Sequence, residues 1–107
     1  MLDYEISPAD AARLLREKTA RLIDVREPWE FALTRIDGSV PIPMSEVPSR
    51  AGQELHPRER LVIVCHHGVR SMNVTVWLRR RGFDHVQSLR GGIDAWSTEV
   101  DPGVGRY

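Results

Sequence analysis

The sequence predicts an α/β fold: a small, mostly parallel central sheet with helices on both faces, in a single domain over residues 1–107. Three observations carry this expectation. Short β-prone runs alternate with segments of helical spacing, as parallel strands joined by crossover helices require. One run, Leu61 to Val64, is apolar throughout, which fits a strand buried on both faces. A chain of 107 residues is also long enough to bury one core but short for two.

The elements follow in order. Ser7-Pro8-Ala9-Asp10 supplies a capping serine, a first-turn proline and an acid at the third position, ahead of Ala11, Leu14 and Leu15 at helical spacing, so a helix is expected over about Pro8 to Lys18. Arg21 to Val25 reads as a strand, after which Arg26, Glu27 and Pro28 can start a helix reaching roughly Leu33. Gly38, Pro41 and Pro43 leave room for a brief extended segment around Ser39 to Ile42, followed by a helix near Ser45 to Ala51 that Pro48 keeps short or irregular. Leu61 to Val64 is the central strand. From Ser71 the pattern turns helical, with Val74, Trp77 and Leu78 on one face, Arg79 to Arg81 in the last turn and Gly82 as the stop. Val86 to Leu89 is a last short strand, Gly91-Gly92 opens a helix through Ala95 and Trp96, and Asp101 to Tyr107 forms a tail.

Composition narrows the function classes. Lys plus Arg and Asp plus Glu stand at 15 each, so no net field recruits nucleic acid or an anionic membrane. No window approaches a membrane span and the first residues carry no apolar signal, which predicts a cytoplasmic protein. The single cysteine, Cys65, has no partner for an internal disulfide and is free for chemistry.

That cysteine follows the most buried strand, where ligands of open parallel sheets bind. The segment Cys65-His66-His67-Gly68-Val69-Arg70-Ser71 leaves the strand and enters a helix, gathering backbone N–H groups and a helix N-terminus around a sulfur atom. These groups and the cation of Arg70 favour negative charge on the sulfur, and hence a nucleophile. Gly68 permits the positive φ or close approach that inward-pointing amides need. Arg70 offers a planar fork suited to oxyanion oxygens.

The loop CHHGVRS resembles the active-site loop of the rhodanese superfamily of sulfurtransferases. RLIDVREPWEF followed by IDGSVPIP resembles the family's first signature, LRGGIDAW its C-terminal one, and the ending VDPGVGRY is also similar. The four segments occur in order over nearly the whole chain. The resemblance implies a rhodanese-like fold and a Cys65 thiolate that takes sulfur from a donor such as thiosulfate, holds it as a persulfide, and passes it to cyanide or a thiol. It implies a sulfur cradle made by the amides of His66, His67, Gly68, Val69 and Arg70, with Ser71 in support. Asp24 and Arg26 resemble the family's acidic and basic pair, which holds the sheet edge and the loop. No metal or organic cofactor is required. Donor and acceptor are small sulfur compounds, and a protein partner in either role is compatible, including a dedicated sulfur-carrier or binding module. Where family members read Gly-His-Ile-Pro-Gly, this chain has Thr34-Arg35-Ile36-Asp37-Gly38, in a segment that is usually structural. Phosphatases and arsenate reductases of the same fold form the alternative. Their loop is one residue longer than the four residues between Cys65 and Arg70, and a tighter ring suits a single sulfur better than a tetrahedral oxyanion.

Plainer readings stand beside these. Cys65 can be the small buried end of a core strand, and Arg70 can be a salt-bridging residue, for example toward Asp24. His66 and His67, as neighbours, are expected to point apart and to line or leave the pocket mouth. Together with His56 and His85 they show no recognised metal-ligand spacing. Trp29, Trp77 and Trp96 are expected in the core or at its rim, and Arg79 to Arg81 in solvent.

Overall fold

A computed structural model describes residues 2–107. Among them, five strands form one sheet, in order β1 (Glu5–Ile6), β5 (Val86–Leu89), β4 (Leu61–Val64), β2 (Arg21–Asp24) and β3 (Val40–Pro41), with every pairing parallel. The helices are α1 (Pro8–Arg16), α2 (Pro28–Leu33), α3 (Val47–Glu54), α4 (Val69–Arg79) and α5 (Gly92–Glu99), with a 3-10 turn at Met44–Glu46.

Side chains alternate across β4 and so divide the core in two. Leu61 and Ile63 face a cluster with Val47, Ala51, Val74 and Leu78 of α3 and α4. Val62 and Val64 face Ala11 and Leu14 of α1 and Ile93 and Trp96 of α5. All four β4 residues are fully buried, as the uninterrupted apolar run predicts. The register sets Asp24 beside Val64 and Ile63 beside Ser88, gathering the carboxyl ends of the three inner strands.

Several boundaries differ from the sequence expectation. The strand β1 is two residues long and held by backbone bonds from Ser88 and Arg90, so it leaves no apolar run to read. The first helix stops at Arg16 because Lys18 takes a left-handed φ of 59°. Pro48 does not interrupt α3 but lies in its first turn, where its missing N–H costs nothing, and the helix runs on to Glu54. The helix expected from Ser71 begins at Val69, so Val69 and Arg70 belong to its first turn. Trp96 is buried, whereas Trp29 is 63% exposed. Arg79 is not a solvated helix end. It donates to the carbonyls of Leu2, Asp3 and Val86 and lies over the Tyr4 ring, tying the start of the chain to the sheet.

Among the described residues, no helix is long and apolar enough to cross a membrane.

Candidate active site

The candidate site is built on the backbone that leaves β4. Val64 is pinned by the Val25 N–H, and Cys65 follows, 1% exposed and packed into the core cluster of Ile63 and Val74. In burial, Cys65 thus matches the plain reading of a small core residue. Its polar surroundings do not. Gly68 turns the chain with φ of 108° and caps α4, which leaves the first N–H groups of that helix without helical partners. The Gly68 N–H donates to Cys65 Sγ at 3.0 Å and the Ser71 N–H at 3.3 Å. Ser71 Oγ lies 3.3 Å from the sulfur and 2.7 Å from Ser88 Oγ on β5, so two buried hydroxyls extend the contact inward.

A second helix fixes the start of the loop. At the N-terminus of α5, Ile93 N–H donates to the Cys65 carbonyl at 2.8 Å and Asp94 N–H to the His66 carbonyl at 3.2 Å. Gly91 and Gly92, with φ of 73° and 63°, bring that helix end against the loop backbone. Both carbonyls are thereby engaged by α5.

The charged side chains around the loop pair differently from expectation. Arg26 and Asp24, 1% exposed each, form a buried ion pair at 2.7 Å. With Asp24 engaged, the carboxylate available to Arg70 is that of Glu30 on α2, which accepts both prongs of the guanidinium at 2.6 and 2.9 Å. The oxyanion fork read from sequence is therefore occupied by Glu30, and an Arg70–Asp24 bridge is absent. The Asp24–Arg26 pair lies at the end of β2, an inner strand paired with β4. Arg26 also donates to the carbonyls of Glu30 and Thr34 and to the hydroxyl of Tyr107, bracing α2 and the tail. Burial opposes the Arg26 charge, but hydrogen bonds to Asp24 and Tyr107 outweigh it and the guanidinium stays charged.

His66 and His67 do not point apart. Their rings stack at 3.9 Å, and the Tyr107 ring stacks on the other face of His66 at 3.9 Å with 6° between planes. The expectation fails because residues in a tightly turning loop do not alternate as in a strand. His66, His67 and Asp94 bring ligand-type atoms within 4.8 Å of one another, so adjacency is no ground against a metal; Asp94, however, is already paired with Arg106 at 2.8 Å. The two imidazole planes are inclined by 25°, and His67 is exposed.

Of the residues expected from sequence, Cys65, Gly68 and Ser71 meet directly around the sulfur. The side chains of His66 and His67 form the stack, Val69 is 72% exposed, and Arg70 turns to α2. Glu30, Ser88 and Tyr107 join the site without a signal in the sequence that points to it. Glu30 stands three residues after Glu27 and bonds its N–H at 2.9 Å, a capping-box spacing visible in the sequence, yet that spacing gives no hint of Arg70.

Arg70 holds the Glu30 carboxyl far below the usual range, at about 2, with burial opposing and the Tyr107 hydroxyl assisting. A carboxyl depressed on folding stabilises the fold above its unfolded value, and the contribution is lost as pH falls through the folded value. Glu30 is therefore expected to contribute up to about 3 kcal/mol at pH 5, fading toward pH 2. Urea unfolding of wild type and Glu30→Gln tests this. The stability gap should be nearly full at pH 5, stay so at higher pH and narrow on acidification toward pH 2; a gap independent of pH would refute it.

The sequence and the fold are similar to those of known proteins. Residues 7–99 match the family described as "Rhodanese-like domain". The thiosulfate sulfurtransferase GlpE of Pseudomonas fluorescens is 35% identical over 98 residues, covering 90% of this chain and 87% of that protein. Rhodanese-like/PpiC domain-containing protein 12, chloroplastic, of Arabidopsis thaliana is 37% identical over 91 residues, 82% of this chain, and the match spans only 30% of that protein's length. Among solved structures, the human single-domain sulfurtransferase TSTD1 superposes with a TM-score of 0.86 at 26% identity, covering 92% of this chain and 98% of that one.

Proposed function

The chain belongs to the rhodanese-like domain family, and from that premise we propose that it transfers sulfane sulfur, held on Cys65 as a persulfide, from a donor such as thiosulfate to cyanide or a thiol. The observation that carries this reading is the pair of N–H groups, from Gly68 and Ser71, aimed at a buried sulfur 3.0 and 3.3 Å away. Donors placed there favour charge on sulfur and are already oriented before reaction.

In the first half-reaction the Cys65 thiolate attacks the outer sulfur of thiosulfate. The Sγ–S bond forms as the S–S bond of the donor breaks, and sulfite leaves with the electron pair. The negative charge then rests on the outer sulfur of the persulfide, among the loop amides from His66 to Arg70. In the second half-reaction cyanide attacks that outer sulfur, the Sγ–S bond breaks, and thiocyanate leaves while the thiolate is regenerated. Charge balances in both steps, and no cofactor takes part. Because Glu30 occupies the fork of Arg70, the amides and not that guanidinium are the main contacts for charge, and Arg70 anchors the end of the loop. In this reading residues 1–107 act as one rhodanese domain in the cytoplasm, where a lone thiol stays reduced. A protein persulfide or protein thiol is an equally suitable partner chemically.

The test is intact mass. Reduced protein incubated with thiosulfate should gain one sulfur, about 32 Da, and lose it to cyanide with release of thiocyanate; prior alkylation of the thiol should prevent the gain. Failure to gain sulfur from both thiosulfate and a protein persulfide would overturn the proposal, and turnover of an aryl phosphate or arsenate by the same sample would put the phosphatase or reductase reading in its place.

A further inference from the structure

We propose that Tyr107 is a positioning residue for the Cys65 loop: its ring, stacked on His66, and its hydroxyl, set between Arg26 and Glu30, hold both ends of the loop in the geometry that receives sulfur. The inference rests on the sulfur-transfer reading above and adds a residue outside the loop to it.

The contacts are unusually convergent for one side chain. The ring lies 3.9 Å from His66, nearly parallel, and meets the edge of Trp29 at 6.1 Å. The hydroxyl donates to Glu30 Oε2 at 2.6 Å and accepts from Arg26 at 3.0 Å. Since a carboxylate only accepts and a guanidinium only donates, the hydroxyl's single proton has one place to go, and the phenol orientation is determined. Burial, the larger effect, together with Glu30 raises the phenol above its usual range despite Arg26, so it remains a proton donor at neutral pH.

The loop has two ends, and Tyr107 reaches both. His66, the residue after the nucleophile, is clamped between the Tyr107 ring and His67. Arg70, at the far end, is held by Glu30, and the same Glu30 oxygen that takes the 2.9 Å bond from Arg70 takes the Tyr107 proton. Gly105 N–H to Thr34 Oγ1 at 2.9 Å ties down the approach to Tyr107. Amides that must meet an atom to within a fraction of an ångström are sensitive to such anchoring, because a displacement of about 1 Å can cost two orders of magnitude in rate.

The test separates positioning from bulk stability. Persulfide formation from thiosulfate is followed on wild type, Tyr107→Phe, Tyr107→Leu and Arg106→Gln, well below the melting temperature of each. Tyr107→Phe, which keeps the stack and loses the hydroxyl, is expected to lower kcat about threefold to tenfold, and Tyr107→Leu more than about tenfold, each with KM changed less than about twofold, the pattern of a lost transition-state interaction. Arg106→Gln removes an exposed ion pair of the same segment and should leave kcat unchanged. Wild-type kcat in Tyr107→Leu, or losses that follow only the unfolded fraction, would reduce Tyr107 to an anchor of its own segment and overturn the proposal. A wild type that accepts no sulfur sinks the underlying reading instead. Positioning is then read from alkylation of Cys65 by iodoacetamide, whose rate should change severalfold in Tyr107→Leu; an unchanged rate would overturn it.

Discussion

Cys65→Ser is expected to abolish sulfur uptake while leaving the fold in place. The serine oxygen can accept the same N–H groups from Gly68 and Ser71, and the change in volume is small, so the core cluster around Ile63 and Val74 needs little repacking. What is lost is the nucleophile. An alcohol is not ionised at neutral pH and has no sulfur to form a disulfide-like bond with the incoming atom, so transfer should fall by at least about a thousandfold. The measurement is the 32 Da gain after thiosulfate, made beside a thermal melt. No gain with a melting temperature within a few degrees of wild type is the expected result; a variant that still takes up sulfur would mean that Cys65 is not its carrier.

Gly92→Ala should do the greatest damage to the framework that holds the loop. A Cβ at this position would lie 2.5 Å from the His66 carbonyl carbon and 2.6 Å from the Cys65 carbonyl oxygen, and closer still to the His66 oxygen. Those atoms are backbone and cannot swing aside, and φ of 63° adds strain for any side chain. The N-terminus of α5 would have to retreat, breaking the bonds from Ile93 and Asp94 to the loop carbonyls. A loss of more than about 3 kcal/mol is expected in denaturant unfolding, with sulfur uptake impaired in whatever fraction stays folded. Gly52→Ala is the control: its Cβ would meet nothing within 4 Å in the middle of α3, so it should be neutral or gain about 0.5–1 kcal/mol. Equal behaviour of the two variants would defeat the close-approach argument.

The parts of this molecule that were legible in its sequence are those whose cause is local. Leu61 to Val64 and Val86 to Leu89 are strands with the bounds expected, the first because burial on both faces demands an apolar residue at every position. Ser7 caps α1 through the Asp10 N–H at 3.1 Å, as its spacing implies. Cys65 could be placed from the order of strand, loop and helix alone. The features that the sequence does not reveal depend on partners far away in the chain. Glu30 looks like a surface residue of a short helix until Arg70, forty positions later, folds against it. Tyr107 sits in a glycine-rich tail whose path only the finished sheet defines. The two-residue β1 carries no periodicity, and the stacking of His66 on His67 and on Tyr107 depends on a loop path and a tail that meet only in the folded chain.

The paired hydroxyls of Ser71 and Ser88 have a further consequence. A sulfur that cycles between protonated, ionised and persulfide forms alternately needs an acceptor and a donor beside it. Ser71 Oγ–H can turn toward or away from Sγ, and Ser88, 2.7 Å behind it, can reverse its own bond in step, since either oxygen can be the donor. In the proposed reaction, two single-bond rotations would do the work that reorienting water does around a thiol in solution, with no backbone movement required as the charge on sulfur comes and goes.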